Sequence, residues 1–261
     1  MFQQDIAIDV EGADEPRWVS RGAYKLIKGL EEWGIDPSGW SCVDIGASTG
    51  GFTQVLLSRG ALRVAAVDVG YGQLAWQLRN NPRVALFERT NARYVTSDDI
   101  GWAADMLTVD ASFISLRLLL PNLQWLIKDN GIIIALVKPQ FEVGRQKVGR
   151  GVVLDPALHL EVLDTLADFI RKETALALSG ATYSPIRGPE GNIEFIFFMI
   201  KRVDLVASSH TQPGDSFFCE ESALRAKAME TGLQAGFWAG AQGSDFAVIV
   251  REAHESGRTN G

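Results

Sequence analysis

The sequence predicts an α/β fold: a doubly wound, mostly parallel sheet of seven strands closed by an antiparallel edge. Short apolar runs alternate with helix-like stretches between residues 41 and 137. The runs are apolar throughout, as expected of strands covered on both faces. A glycine-rich turn, "CVDIGASTGGFTQ", joins the first run to a helical segment. Two further apolar runs, linked by "RGPEG", lie next to each other after a long helix, which reads as an antiparallel pair at the sheet edge.

In chain order, residues 1–16 form a polar lead-in with five acids and no Lys or Arg. Residues 20–34 read as a helix, with Ser20 as its cap, Ala23, Ile27, Leu30 and Trp33 as its apolar stripe, and Gly34 at its end. Strands are expected at 41–45, 63–68, 83–87, 106–110 and 131–137, with helices at 51–58, 73–78 and 115–128 and a weakly marked turn near 97–104. Residues 139–154 read as a long loop. Asp155 and Pro156 then open a helix, an acid at the cap and a proline at the first position. Leu160, Leu163, Leu166, Phe169 and Ile170 fit its buried face. The closing pair is expected at 175–186 and 192–202, and beyond it a helix at 220–232 and a strand at 246–251.

The chain has 261 residues, 46% of them hydrophobic and 22% charged, enough for a sizeable core. The longest apolar runs are too short to span a bilayer, and no basic-then-apolar leader follows Met1. With only Cys42 and Cys219, and Cys42 in a core strand, free thiols and a cytoplasmic location are expected. The net charge of −7 is unevenly spread: residues 17–202 carry 21 Lys and Arg against 19 Asp and Glu, and residues 203–261 carry four against eight. Basic clusters at 17–28, 88–93 and 138–150 lie near the expected site loops, which suits a polyanionic substrate as well as a solvated surface.

The glycine turn is a ligand signal because glycine lets a backbone approach closely and a helix N-terminus favours polar groups. A dinucleotide prefers G-x-G-x-x-G, but position 48 is Ser. An acid on the strand, Asp44, is unhelpful beside a pyrophosphate and suits an amine-bearing, cationic ligand. Asp68, at the end of the next strand, is placed for two ribose hydroxyls, and Asn91 for an adenine. The set favours S-adenosylmethionine over NAD.

"DIGASTGGFTQ" resembles the D-x-G-A-x-x-G-G-[FW]-[ST]-Q loop of FtsJ-like RNA 2′-O-methyltransferases. The blocks "RWVSRGAYKL", "VDVGYGQLAW", "ERTNARY", "DASFISL", "LVKPQFEVGR", "GRGVVLDPALH" and "GPEGNIEF" resemble successive blocks of the TlyA family of rRNA 2′-O-methyltransferases, also labelled haemolysins. The resemblance covers residues 17–202 and implies a Rossmann-like S-adenosylmethionine-dependent methyltransferase fold, with ribosomal RNA or ribosomal subunits as partner. It implies a catalytic Lys-Asp-Lys-Glu tetrad, matched here by Lys25, Asp110, Lys138 and Glu194. The expected cofactor-binding positions are Asp44, Gly46, Ala47, Ser48, Thr49, Gly50, Gly51, Phe52, Asp68, Asn91 and Asp110.

On the residues alone, Asp110 and Lys138 close consecutive strands, where open α/β sheets place their sites. Taken alone, Lys25 reads as a solvent-facing helix lysine, and Glu194 reads equally as a surface acid on a strand edge. The chemistry gives the four a common purpose. A ribose hydroxyl is a weak acid and needs help losing its proton, which a neutral lysine provides. Lys138 is expected to be that base or orienting group, with Lys25 as the nearby cation that favours its neutral form and the acids holding the groups in line. No metal is expected, because His159, His210 and His254 form no ligand-spaced cluster.

The family resembled opens with an S4-type RNA-binding domain. Residues 1–16 resemble the linker behind it, so cofactor binding is expected with weak RNA binding. Residues 203–261 form an acidic C-terminal extension without an assigned role. Two other functions compete: a membrane-acting haemolysin, against which stand the missing apolar span and basic amphipathic helix, and a binding-only domain, against which stand the complete tetrad and intact glycine turn.

Overall fold

The computed structural model describes residues 18–144, 147–148, 151–202 and 245–256. Seven strands, β1 (Ser41–Ile45), β2 (Arg63–Val67), β3 (Val84–Phe87), β4 (Ala104–Val109), β5 (Ile127–Val137), β6 (Leu176–Tyr183) and β7 (Phe195–Lys201), form one sheet in the order β3-β2-β1-β4-β5-β7-β6. Strands β1 to β5 are mutually parallel, and β7 runs antiparallel to both β5 and β6. The strand order reverses between β1 and β4, and ligands of open α/β sheets bind at such a switch point.

Alternate residues of each strand feed two cores, one on each face. On one face α1 (Ala23–Glu32), α2 (Gly51–Ser58) and α3 (Trp76–Arg79) pack Leu26, Leu30, Phe52, Leu56 and Leu78 against Met106, Ile134 and Phe198. On the other, α4 (Ser97–Ile100), α5 (Leu116–Leu123), α7 (Pro156–Glu173) and α8 (Phe246–Ser256) cover Val43, Leu107, Ile133 and Phe197. A short helix, α6 (Pro139–Glu142), follows β5 within the stretch expected to be loop.

The expected elements recur with shifted ends. Ser20 does not cap α1 with its side chain: Gly22 is the cap residue, and Ser20 contributes its carbonyl to Ala23 N–H. The buried face of α1 is Ala23, Lys25, Leu26, Gly29 and Leu30, while Ile27 is only half-buried. Helix α5 stops at Leu123, and β5 begins earlier than expected because it bulges before Ile132, with Asn130 at a φ of 60°. The turn near 97–104 holds a true helix, α4, started by a capping box of Thr96 and Asp99. On α7, His159 and Val162 are buried and Leu160 is only half-buried.

The strand expected at 246–251 is instead part of α8. Its β-branched run hides a helical period that shows only over the longer segment: Phe246, Ile249, Val250 and Ala253 face the core. Asp245 starts the helix by accepting from Ala247 N–H at 3.0 Å. Phe246 stacks on Phe197 of β7, ring centroids 5.8 Å apart. This part of the C-terminal extension therefore shares the core of the sheet. The helix expected at 220–232 and the second cysteine, Cys219, lie outside the described residues.

Replacing Phe246 with Ala removes that stack and opens space beside β7, so Phe246→Ala is expected to lower unfolding stability by about 2 kcal/mol. Urea unfolding checks it; an unchanged midpoint means that α8 contributes nothing to the core.

Candidate active site

The C-terminal ends of β1, β4 and β5 and the start of β7 meet at one edge of the sheet. Because β7 is reversed, its first residue borders the ends of the parallel strands: Val137 pairs with Phe195, which puts Lys138 and Glu194 at adjoining positions just beyond. Lys25 comes from the buried face of α1. Its Nζ lies 2.5 Å from Glu194 Oε2, with side-chain exposures of 8% and 0%. Lys138 Nζ lies 2.6 Å from Asp110 Oδ1 and donates to Ser112 Oγ at 2.9 Å. All four tetrad positions thus gather at this edge, as two lysine–carboxylate pairs. Among the described residues Glu194 Oε1 has no hydrogen-bond partner although it is buried, so the pair keeps an acceptor free.

The flanking loops are tied down. Asn192, 2% exposed, accepts from Val153 N–H at 3.0 Å and donates to the Gly151 carbonyl at 3.1 Å. His159 Nε2 lies 3.0 Å from the Val153 carbonyl and its Nδ1 lies 3.0 Å from His254 Nε2 of α8. A carbonyl only accepts, so Nε2 carries the His159 proton and Nδ1 accepts from His254. Burial, and then the neighbouring His254, push the His159 pKa down to about 4 and keep the ring neutral. Glu142 of α6 accepts from Leu116 N–H at 2.7 Å and from Ser115 Oγ at 2.6 Å, which fixes the far end of the loop that carries Asp110 and Ser112.

The glycine turn has two sides. Gly46, Gly50 and Gly51 are required by the protein's own packing. A Cβ on Gly46 (φ 78°) would lie 2.7 Å from the Asp110 carbonyl oxygen; on Gly50 (φ 100°) it would meet Leu78 at 2.3 Å, and on Gly51 Ser20 Oγ at 2.3 Å. Phe52 is 4% exposed and belongs to the core. Asp44 is fully buried, and its oxygens accept from Thr53 of α2 at 2.7 Å and Thr108 of β4 at 3.0 Å. These residues shape the turn from behind, and Ala47 is buried with them.

The outward side is Ser48, Thr49 and Asp68. Ser48 and Thr49 are exposed. Asp68 Oδ2 accepts from Ser48 N–H at 2.8 Å and Oδ1 from Gly70 N–H at 2.7 Å. Each oxygen retains a lone pair, so the half-buried carboxylate still has room for two hydroxyls, as a ribose presents them. Asn91 is exposed beyond β3, with its Oδ1 accepting from Arg93 N–H at 3.0 Å and its amide NH2 left to donate. The donor set fits a nucleoside with a free diol. Among the described residues no group of three or more His, Cys, Asp or Glu is arranged to hold a metal.

Two residues were not singled out from sequence. Phe113 is 91% exposed and has a φ of 65°, rare for a non-glycine residue and costly for a bulky one. Its ring lies 5.2 Å from that of Phe141, which follows Lys138 by three residues in the chain. Ser112 is the other. The only signal was their place in "DASF", immediately after the strand-end acid.

Residues 18–201 match the FtsJ-like methyltransferase family. The chain is 48% identical over 204 residues to the 16S/23S rRNA (cytidine-2′-O)-methyltransferase TlyA of Mycobacterium tuberculosis, a match covering 78% of this chain and 76% of that protein. It is 36% identical over 197 residues to Hemolysin A of Brachyspira hyodysenteriae, covering 74% and 80%. A solved Streptococcus thermophilus protein that carries a hemolysin name superposes with a TM-score of 0.75 at 34% identity, covering 95% of this chain and 78% of that one.

Burial raises the Asp44 pKa from its ordinary 3.8 to about 6, against the opposing hydrogen bonds from Thr53 and Thr108. A raised carboxyl pKa means that the folded state holds the proton more tightly. Its contribution is full below the ordinary value and is lost as pH rises through about 6. Asp44→Asn removes the ionisation, so the variant is expected to gain about 2 kcal/mol relative to the parent on going from pH 4 to pH 7. Urea unfolding of both proteins at the two pH values measures this; a difference that does not change with pH means that Asp44 ionises in the folded state as it does in water.

Proposed function

This chain belongs to the FtsJ-like methyltransferase family, and within it to the TlyA rRNA 2′-O-methyltransferases; from that premise we propose that it transfers the methyl group of S-adenosylmethionine to ribose 2′-hydroxyls of ribosomal RNA. The observation that carries this reading is the pair of lysine–carboxylate contacts, Lys138–Asp110 and Lys25–Glu194, at one sheet edge beside the glycine turn. When bound, the cofactor supplies an electrophilic methyl group on a sulfonium. Asp68 is the residue for its ribose, the exposed Ser48–Thr49 turn for its amino-acid end and the Asn91 amide for its adenine.

The remaining work falls to the chain's own side chains. Lys138 receives or orients the 2′-hydroxyl proton, and Asp110 holds its amine in place. Glu194, with Oε1 still free and Oε2 on Lys25, is the acceptor on the far side of the hydroxyl. The exposed face of Phe113 offers a stacking surface for the nucleobase attached to that ribose. Ribosomal subunits as substrate place the protein in the cytoplasm. The hemolysin name on some relatives gains no support here: among the described residues no helix is long and apolar enough to cross a membrane.

Labelled methyl transfer from S-adenosylmethionine to unmodified ribosomal subunits tests the proposal. Lys138→Ala is expected to lower turnover by at least about 100-fold while cofactor binding, followed by calorimetry, persists. Near-normal turnover in this variant removes Lys138 from the mechanism. Phe113→Ala is expected to reduce kcat/KM by about tenfold, the loss of one base stack, and Phe113→Tyr to retain most of it. Equal activity of the Ala and Tyr variants with the parent rules out the stack.

A further inference from the structure

Lys138 ends the buried run of β5, and its side chain is 7% exposed. Besides its carbon, the Nζ nitrogen has three tetrahedral positions. As an ammonium it carries three N–H donors; as a neutral amine it carries two and a lone pair. Ser112 Oγ at 2.9 Å takes one position by a hydrogen bond, and Asp110 Oδ1 lies 2.6 Å from the nitrogen as its ion-pair partner. One acceptor leaves the nitrogen free to rotate about its bond to carbon. A charged partner held close by limits that rotation.

We propose that Ser112 is a positioning residue for Lys138: its hydroxyl fixes one Nζ hydrogen while Asp110 anchors the nitrogen by charge, which turns a free Nζ position toward the ribose hydroxyl. This rests on the role given to Lys138 above. A proton at that position faces neither group, so it is the one that leaves most cheaply, and its departure leaves the lone pair there. In the transfer, the 2′-hydroxyl proton passes to that lone pair. The electron pair of the O–H bond stays on the oxygen, which becomes the nucleophile, and Lys138 later returns the proton to solvent.

The backbone is built to hold Ser112 at this spot. At one end of the segment Asp110 N–H donates to the Ile45 carbonyl at 2.9 Å. At the other end Glu142 grips Ser115 and Leu116. Between them Phe113 takes the bend at a φ of 65°. A non-glycine residue in that region is strained and persists only where its surroundings impose it. The bend serves both neighbours: it exposes the Phe113 ring and leaves the Ser112 hydroxyl against the lysine. The competing account is an exposed loop serine whose contact with Lys138 does nothing.

The test compares the parent with Ser112→Ala, Ser112→Thr and Lys138→Ala by two readouts. The first is kcat and KM for ribosomal subunits. The second is the 15N NMR signal of the Lys138 side chain in cofactor-free protein, assigned by its loss in Lys138→Ala. Ser112→Ala is expected to lower kcat about tenfold with KM for RNA changed by less than about twofold, and to shift the lysine signal and speed its hydrogen exchange. Ser112→Thr, which keeps the hydroxyl, is expected to restore both. An unchanged kcat or an unmoved lysine signal in Ser112→Ala overturns the inference, as does a kcat loss that Thr leaves in place. Full turnover in Lys138→Ala instead refutes the role of Lys138 itself, which separates the two failures.

Discussion

The reversed run of β7 between β5 and β6 is the constraint on which the site depends. A strand parallel to β5 would present its first residue at the opposite edge of the sheet, far from the ends of β1, β4 and β5. With Val137 opposite Phe195, the residue before β7 adjoins the residue after β5. Glu194 therefore reaches the functional edge, and α1 brings Lys25 to it. Helix α1 is held there by apolar contact: Trp33 stacks on Phe198 of β7 at 5.2 Å, and Gly29 lets the helix lie close to Ile134 and Ile196. The ion pair follows from this packing and does not create it.

The polar groups at this edge work against stability. Glu194 is fully buried with one oxygen unpaired, Asp44 is fully buried and resists ionisation, and Phe113 holds a left-handed backbone. A buried ion pair seldom gains more than its desolvation costs, although breaking one by removing a partner costs about 3–5 kcal/mol. What offsets these terms lies beside them. Strand β7 is buried along its whole length, and β5 from Gly131 to Val137. Apolar strands carry the stability while their ends carry the proposed chemistry. Local rules fail at the ends for that reason.

How much of this was legible in the sequence depended on the range of the interaction. Strand and helix alternation, the turn at Gly46 to Gly51 and the antiparallel pair at the edge are local patterns, and they reappear in the structure within a few residues. The four tetrad positions came from the resemblance, since Lys25 and Glu194 are 169 residues apart and nothing local ties them together. Residues 246–251 misled because five consecutive apolar residues, three of them β-branched, carry no period before Arg251. The glycines misled in a subtler way. A Gly-rich turn reads as room for a ligand, but whether the missing side chain makes room for a ligand or for Leu78, Ser20 and Asp110 is decided by tertiary neighbours. Ser112 and Phe113 were silent because their importance lies in an exposed bend, and exposure is not written in residue type.

The packing of Gly46 against Asp110 has a mechanical consequence. The turn beside which Asp68 is placed and the strand end that holds Lys138 are not separate loops brought near by chance. Asp110 N–H donates to the carbonyl of Ile45, the residue before Gly46, and Gly46 in turn lies so close to the Asp110 carbonyl that a methyl group cannot enter. Strands β1 and β4 are neighbours at the switch point, so this contact is a direct link between the proposed methyl-donor side and the proposed proton-accepting side. Methyl transfer needs donor carbon and acceptor oxygen in line within a few tenths of an ångström. Two groups fixed to the same pair of hydrogen-bonded strand ends meet that requirement without a lid or a hinge, and a displacement of either end is transmitted to the other. Glycine at position 46 is therefore as much a part of the alignment as the charged residues, though it touches neither reactant in this reading.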